Sequence, residues 1–200
     1  FMFIVATYAW FIGMKTVNVS SFDVSIATTD SLLLSLDGKK WDTTVNINEV
    51  AKVSDIVFLA VKPNIFKDIS LDIKDNISND TIVISIAAGV SIEDMETWIG
   101  DNHKIVRTMP NTPALVGEAI SAICPNKNLS EEELEEVCTI FNMFGKCEIL
   151  EEKYFHGFIA LCGSSPAYVF VFIEAMADAA VKLGIPRNKA YKMAEQAILG

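Results

Sequence analysis

Asp55-Ile-Val-Phe-Leu-Ala-Val61, followed at once by Lys62-Pro63, is the stretch on which the fold turns. It is apolar at consecutive positions rather than at alternate ones. A strand of that kind is covered on both faces, as a central strand of a parallel sheet flanked by helices is covered. Residues 81–87 have the same character, and residues 105–109 repeat it at shorter length. Toward the N-terminus, residues 3–6 and 24–28 read as two further strands, with a weakly signalled helix over 9–17 between them.

Helical patterns fill the gaps between these strands. Asn48 can cap a helix over 48–53. Ser91-Ile-Glu-Asp94 opens a helix that Gly100 stops, and Ser130-Glu-Glu-Glu133 is a capping box for a helix running to near Gly145. Strands alternating with helices indicate an α/β chain, a doubly wound parallel sheet. After residue 150 only helices are expected: one over 151–161, a long one opened by Pro166 and ending at Lys182, and a third from Arg187. The long helix is apolar on several sides, through Val169, Phe170, Phe172, Ile173, Met176, Ala177 and Ala180. A helix of that composition is buried, and a domain of a few helices needs a partner subunit to bury it. The expected organisation is a dinucleotide-binding domain over 1–150 and the start of a helical dimerisation and substrate domain over 151–200.

The 200-residue composition is 51% hydrophobic and 21% charged, with a net charge of -10 and a pI near 4.6. That balance disfavours nucleic acid and an anionic membrane surface as partners. The four cysteines, Cys124, Cys138, Cys147 and Cys162, show no CxxC spacing, and His103 and His156 lie far apart. No metal site is expected, and reduced thiols in a cytoplasmic protein are the simpler reading. Residues 1–14 carry no charge. They are too few to span a bilayer, which takes about 20 apolar residues, and no basic segment precedes them as in a secretory leader. The chain starts on Phe1 and stops inside a helical pattern at Gly200, so both ends are expected to be truncated.

Ligands of an open parallel sheet bind at the carboxyl ends of its strands. Three loops expected there have unusual composition: Lys62-Pro63, Ala87-Ala88-Gly89 and Pro110-Asn111-Thr112-Pro113. Prolines fix the turns and Gly89 lets backbone approach a ligand, so together the loops make a cofactor shelf. The phosphate cradle is anomalous. A GxGxxG turn is expected after the first strand, yet Val5-Ala-Thr-Tyr-Ala-Trp10 contains no glycine. Thr28, Thr29 and Asp30 end the second expected strand. An acid there suits NAD and hydroxyls tolerate NADP, so the choice between NADH and NADPH stays open.

Phe58-Leu-Ala-Val-Lys-Pro63, Ser85-Ile-Ala-Ala-Gly89, Arg107-Thr-Met-Pro-Asn-Thr-Pro-Ala-Leu-Val-Gly117 and Gly163-Ser-Ser-Pro-Ala-Tyr168 occur in this order. Together they closely resemble the pyrroline-5-carboxylate reductase family, from about residue 48 to residue 200. The resemblance implies a Rossmann domain followed by a helical domain that interlocks with a second copy, giving a homodimer or a higher homo-oligomer. It implies that Ala60, Val61, Lys62, Pro63, Ala87, Ala88 and Gly89 line the nicotinamide and its ribose. Met109, Pro110 and Asn111 would lie near the reacting ring, and Thr28 and Thr29 would face the adenosine ribose. Glu152 would reach the substrate region, and Ser164 and Ser165 would lie beside the substrate pocket. The family continues into a Ser-Pro-Gly-Gly-Thr segment beyond the position of Gly200.

The implied reaction passes a hydride from NADPH or NADH to the cyclic imine pyrroline-5-carboxylate and yields proline. A protonated imine is already electrophilic, so orientation and electrostatics are the protein's part. Asn111 and Glu152 are the candidate catalytic residues, with turn formation by Asn111 and an ordinary first-turn acid at Glu152 as the plainer readings. A β-hydroxyacid dehydrogenase shares the fold but carries a Lys on the long helix, and none occurs over 163–178. A non-catalytic dimeric module that has lost its cofactor is the remaining alternative.

Overall fold

The computed structural model describes residues 2–6, 18–19, 22–23 and 47–200. Its main sheet has six strands: β1 (Met2–Ala6), β4 (Ile56–Ala60), β5 (Ile82–Ser85), β6 (Lys104–Pro110), β7 (Ala119–Pro125) and β8 (Gly145–Ile149). They lie side by side in that order. Two short strands, β2 (Asn18–Val19) and β3 (Phe22–Asp23), pair with each other alone. The expected helix over 9–17, the strand over 24–28, and Thr7–Trp10 of the expected cradle lie outside the described residues, as do Thr28, Thr29 and Asp30.

β1, β4, β5 and β6 run parallel, as the consecutive apolar runs require. The sheet is not parallel throughout. β7 is antiparallel to β6, and β8 is parallel to β7. The Rossmann-type reading therefore holds for the first four strands, and the last two reverse the sheet's direction.

Helices cover both faces. On β4, Val57 and Leu59 point into one core, with Phe66 and Ile73 of α2 (Pro63–Ile73) and Met95 and Ile99 of α3 (Ile92–Ile99). Ile56 and Phe58 point into the other, with Val137, Ile140 and Phe141 of α4 (Glu131–Asn142). This two-sided burial is why β4 has no polar alternation. The α1 helix (Ile47–Val53) adds Ala51 to the first core.

Both expected caps form. Ser91 Oγ accepts from the Asp94 N–H at 3.0 Å, while the Asp94 carboxylate accepts from the Ser91 N–H at 3.2 Å. Ser130 and Glu133 repeat the exchange at the head of α4. Each reciprocal pair satisfies two donors that a helix start leaves without partners. One helix departs from the sequence reading. Lys62 and Pro63 do not form a separate loop: Lys62 is the N-cap of α2 and Pro63 its first residue, where a missing N–H costs nothing.

The described chain divides into two compact units between Phe155 and His156. From Glu152 the chain stays helical: a 3-10 turn (Glu152–Tyr154), the short α5 (Phe155–Phe158), a π turn (Ile159–Gly163) and α6 (Ser165–Lys182). The π turn is closed by the Ser164 N–H donating to Ile159 O at 3.0 Å. Pro166, in the first turn of α6, cannot donate to the carbonyl four residues back, and the Ser165 hydroxyl donates to that Cys162 oxygen instead, at 3.4 Å. α7 (Arg187–Leu199) follows Pro186, and Arg187 pairs with Asp178 of α6. Tyr168, Phe170, Val171 and Phe172 of α6 are all exposed. The run Glu152–Lys182 is long and apolar enough to cross a membrane by length and composition.

Candidate functional site

Because β4, β5 and β6 are parallel neighbours with Leu59, Ser85 and Arg107 in register, the loops that follow them leave one edge of the sheet. That edge receives Ala60 to Pro63, Ala87 to Gly89 and Met109 to Asn111. Val61 and Ala87 are buried and anchor their loops; Lys62, Pro63, Ala88 and Gly89 are exposed. Met109 and Pro110 are half-buried. Gly89 has a φ of +81°, and beyond its own chain neighbours no heavy atom lies within 4 Å of where a Cβ would stand. The turn thus needs glycine for its backbone, and the space beside it is open.

Short hydrogen bonds fix the shelf. Ser85 Oγ accepts from the Ala87 N–H at 3.2 Å, and Ser85 O accepts from the Thr108 hydroxyl at 2.9 Å. Asn111 is buried, and its Oδ1 accepts from the Ile120 N–H at 2.9 Å. The side chain therefore ties together the two ends of the turn that carries the 3-10 helix Thr112–Val116. Asn111 is a turn-former here, whatever else it touches.

Glu152 stands in the first turn of a 3-10 helix, as its plainer reading has it, but half-buried rather than exposed. Its Oε1 accepts from the Ile92 N–H at 2.8 Å and from Arg107 Nη1 at 2.7 Å. Arg107 is 7% exposed, and its guanidinium lies 4.6 Å from the Phe155 ring centre. Hydrogen bonds from the Ser91 hydroxyl and backbone hold the nearby Asp94 carboxyl below its ordinary range, and Arg107 adds a smaller pull in the same direction. Burial pushes the Cys124 thiol up. Burial and the neighbouring Cys138 push Cys147 up to about 11, so neither thiol is poised as a nucleophile.

Sequence reading missed Arg107, Ser85 and Thr108 as site-building residues. Arg107 carried a signal: a lone cation inside the apolar run Ile105–Met109 has to find an acid once the strand is buried. Ser164 and Ser165 stand in the second unit, at the end of the π turn and the start of α6. Among the described residues no group of His, Cys, Asp and Glu could hold a metal ion. The open space at Gly89 and the methyl-sized side chain of the exposed Ala88 leave room for a flat ring against the shelf.

Residues 152–200 match the family model for pyrroline-5-carboxylate reductase dimerisation. Residues 24–89 match the model described as NADP oxidoreductase, coenzyme F420-dependent. The chain is similar to the pyrroline-5-carboxylate reductase of Escherichia coli (strain K12), 47% identical over 152 residues that cover 76% of this chain and 56% of that protein. It is also similar to the solved structure of a Plasmodium falciparum pyrroline carboxylate reductase with NADP bound. There the TM-score is 0.73 at 38% identity, covering 81% of this chain and 63% of that one. A pyrroline-5-carboxylate reductase from Coxiella burnetii superposes with a TM-score of 0.75 at 33% identity, covering 78% and 59%. The chain thus spans little more than half the length of these relatives.

Proposed function

Because the chain belongs to the pyrroline-5-carboxylate reductase family, we propose that the whole protein reduces pyrroline-5-carboxylate to proline with NADPH or NADH. The observation that carries the reading is the shelf itself. Three adjacent parallel strands send their loops to one edge, and the middle loop is open at Gly89. When bound, the reduced nicotinamide supplies the hydride. This chain's residues orient the partners and keep water away. Ala60, Val61, Lys62, Pro63, Ala87, Ala88 and Gly89 line the nicotinamide end, and Thr28 and Thr29 the adenosine ribose. Asn111 sets the height of Met109 and Pro110 beside the ring through its bond to Ile120. Ser164 and Ser165 serve the substrate pocket. Exclusion of water protects the hydride and strengthens local electrostatics.

The domains divide near residue 150. The helical part pairs with a second copy, whose matching helices cover the exposed aromatics of α6. The protein works in the cytoplasm as a homodimer or a higher homo-oligomer, and the apolar run Glu152–Lys182 faces its twin rather than lipid. The test follows absorbance of the reduced cofactor in the full-length protein. Oxidation that depends on the cyclic imine and releases proline is expected. Turnover of a 2-hydroxy acid in the opposite direction, without imine turnover, would revive the dehydrogenase alternative. A full-length protein that fails to bind NADPH on titration would leave the non-catalytic module.

A further inference from the structure

A single oxygen, Glu152 Oε1, joins the chain leaving β5 to the chain leaving β6. Its first donor, the Ile92 N–H, lies three residues beyond Gly89 and opens α3. Its second donor, Arg107, lies two residues before Met109 on β6. The capping box already satisfies the Ser91 and Asp94 N–H groups, and Glu152 takes one of the two between them, that of Ile92, from 60 residues away. Arg107 is then held from two sides, by the carboxylate and by the Phe155 ring. The Thr108 hydroxyl joins β6 to Ser85 O of β5 by a neutral bond, and Glu152 adds the charged tie.

We propose that Glu152 is a positioning residue: with Arg107 it clasps the Ala87–Gly89 loop to the Met109–Asn111 loop and so fixes the shelf on which the cofactor rests. It touches neither the substrate nor the transferred hydride. Oε1, which both donors share, fixes the direction of the carboxylate. Removing the carboxylate leaves a buried guanidinium without its acid and α3 without one acceptor, and the two loops lose their common anchor. Preorganisation of a binding surface is read as affinity, so the loss falls on the cofactor. The identity of the ligand rests on the reductase reading above; the clasp itself rests on the two hydrogen bonds.

The experiment uses the full-length protein and its Glu152→Ala and Glu152→Gln variants. NADPH is titrated directly, without the imine, by fluorescence. Imine KM and kcat are then measured at saturating NADPH. Glu152→Ala is expected to weaken NADPH binding about 10-fold, a loss of ~1.4 kcal/mol. Glu152→Gln keeps an oxygen for the Ile92 N–H but loses the charge against Arg107, so it should recover only part of that affinity and remain measurably weaker than the parent. Imine KM should stay within about 2-fold of the parent in both, because uniform substrate contacts are untouched. Unchanged NADPH affinity in Glu152→Ala, or a raised imine KM at unchanged NADPH affinity, overturns the proposal in favour of a direct substrate contact. If Glu152→Ala does not fold, Glu152→Gln decides alone. A measurable weakening of NADPH binding at unchanged imine KM supports the clasp, and the reverse pattern overturns it. A parent protein that binds NADPH but leaves the imine unreduced would sink the reductase reading, while the titration would still judge the clasp.

Discussion

Ala119 and Gly145 are register partners where β7 meets β8, and they approach so closely that no side chain fits between them. A Cβ on Gly145 would stand 2.2 Å from Ala119 O and 2.4 Å from Ala119 N. Both obstacles are backbone, so neither can turn aside. Gly145→Ala is expected to destabilise the chain by about 3 kcal/mol or more, in the range reserved for strain and overpacking. Urea unfolding measures it; a loss below about 1 kcal/mol would show that β8 can shift without consequence.

Acid stability should follow the two capping carboxylates. Hydrogen bonds from Ser91 lower Asp94, and the Lys104 ammonium, then the Ser130 backbone, lower Glu133. A carboxyl whose folded value lies below its unfolded one stabilises above the ordinary carboxylate range, and that support is lost as pH falls through the folded value. The window is therefore below about pH 4. Lys104 is raised, chiefly by Glu133, so its share is present below the ordinary lysine value and is lost as pH rises beyond it. Glu133→Gln should cost the ~1 kcal/mol or less of a partly exposed pair at neutral pH, read as a lower Tm, and converge with the parent in acid. Parallel Tm–pH profiles, offset equally everywhere, would contradict this assignment.

Asn111→Ala removes the acceptor for the Ile120 N–H and loosens the turn beyond β6. In the full-length protein kcat/KM is expected to fall about 10- to 100-fold, ~1.4 to 2.7 kcal/mol of transition-state stabilisation. Asn111→Asp keeps the acceptor and should recover much of the loss if positioning is the role. Equal damage in both variants would point instead to the Asn111 amide N–H groups.

The aromatics of α6 predict the state of assembly. Phe170 is 70% exposed and Tyr168 65% exposed, on a helix with few charges. Interfaces that cover such surfaces commonly bury upward of about 2,000 Å². Ultracentrifugation of the full-length protein should show no monomer at about micromolar concentration, and Phe170→Glu should release monomer. Recovery of the protein in the membrane fraction, soluble only with detergent, would count against a protein partner for this helix.

What the sequence disclosed depended on contrast. β4 stood out because burial on both faces leaves no polar residue to interrupt it, β5 and β6 because their runs are apolar at consecutive positions before Ser85 and Arg107, and α3 and α4 because their caps are spelled out in order. α2 was missed although Pro63 at its first position is a start signal; the proline was read as a loop. β7, Ala119–Pro125, hid behind small residues, and β8, Gly145–Ile149, is largely exposed and carries Lys146 and Glu148. Their reversed direction was legible in principle. The connection over 111–118 is shorter than the dozen or so residues that a parallel crossover needs. The shelf loops were visible as composition, but the bonds that set them were not. Ile92, Arg107 and Glu152 are scattered along the chain, and only folding puts one carboxylate between two strand exits.

The π turn at Ile159–Gly163 has a consequence for the phase of everything after it. A π turn carries one residue more than the α turn it replaces, and each residue of a helix advances the side chains by about 100°. Deleting one residue within 159–163 would return that turn to α geometry and leave Tyr168, Phe170 and Phe172 at nearly their present angle relative to Phe158. A deletion between the π turn and Tyr168 would instead swing all three about a quarter-circle. The π turn thus absorbs a residue without turning the aromatic face of α6, and the two deletions, equal in length, differ in where they leave that face aimed.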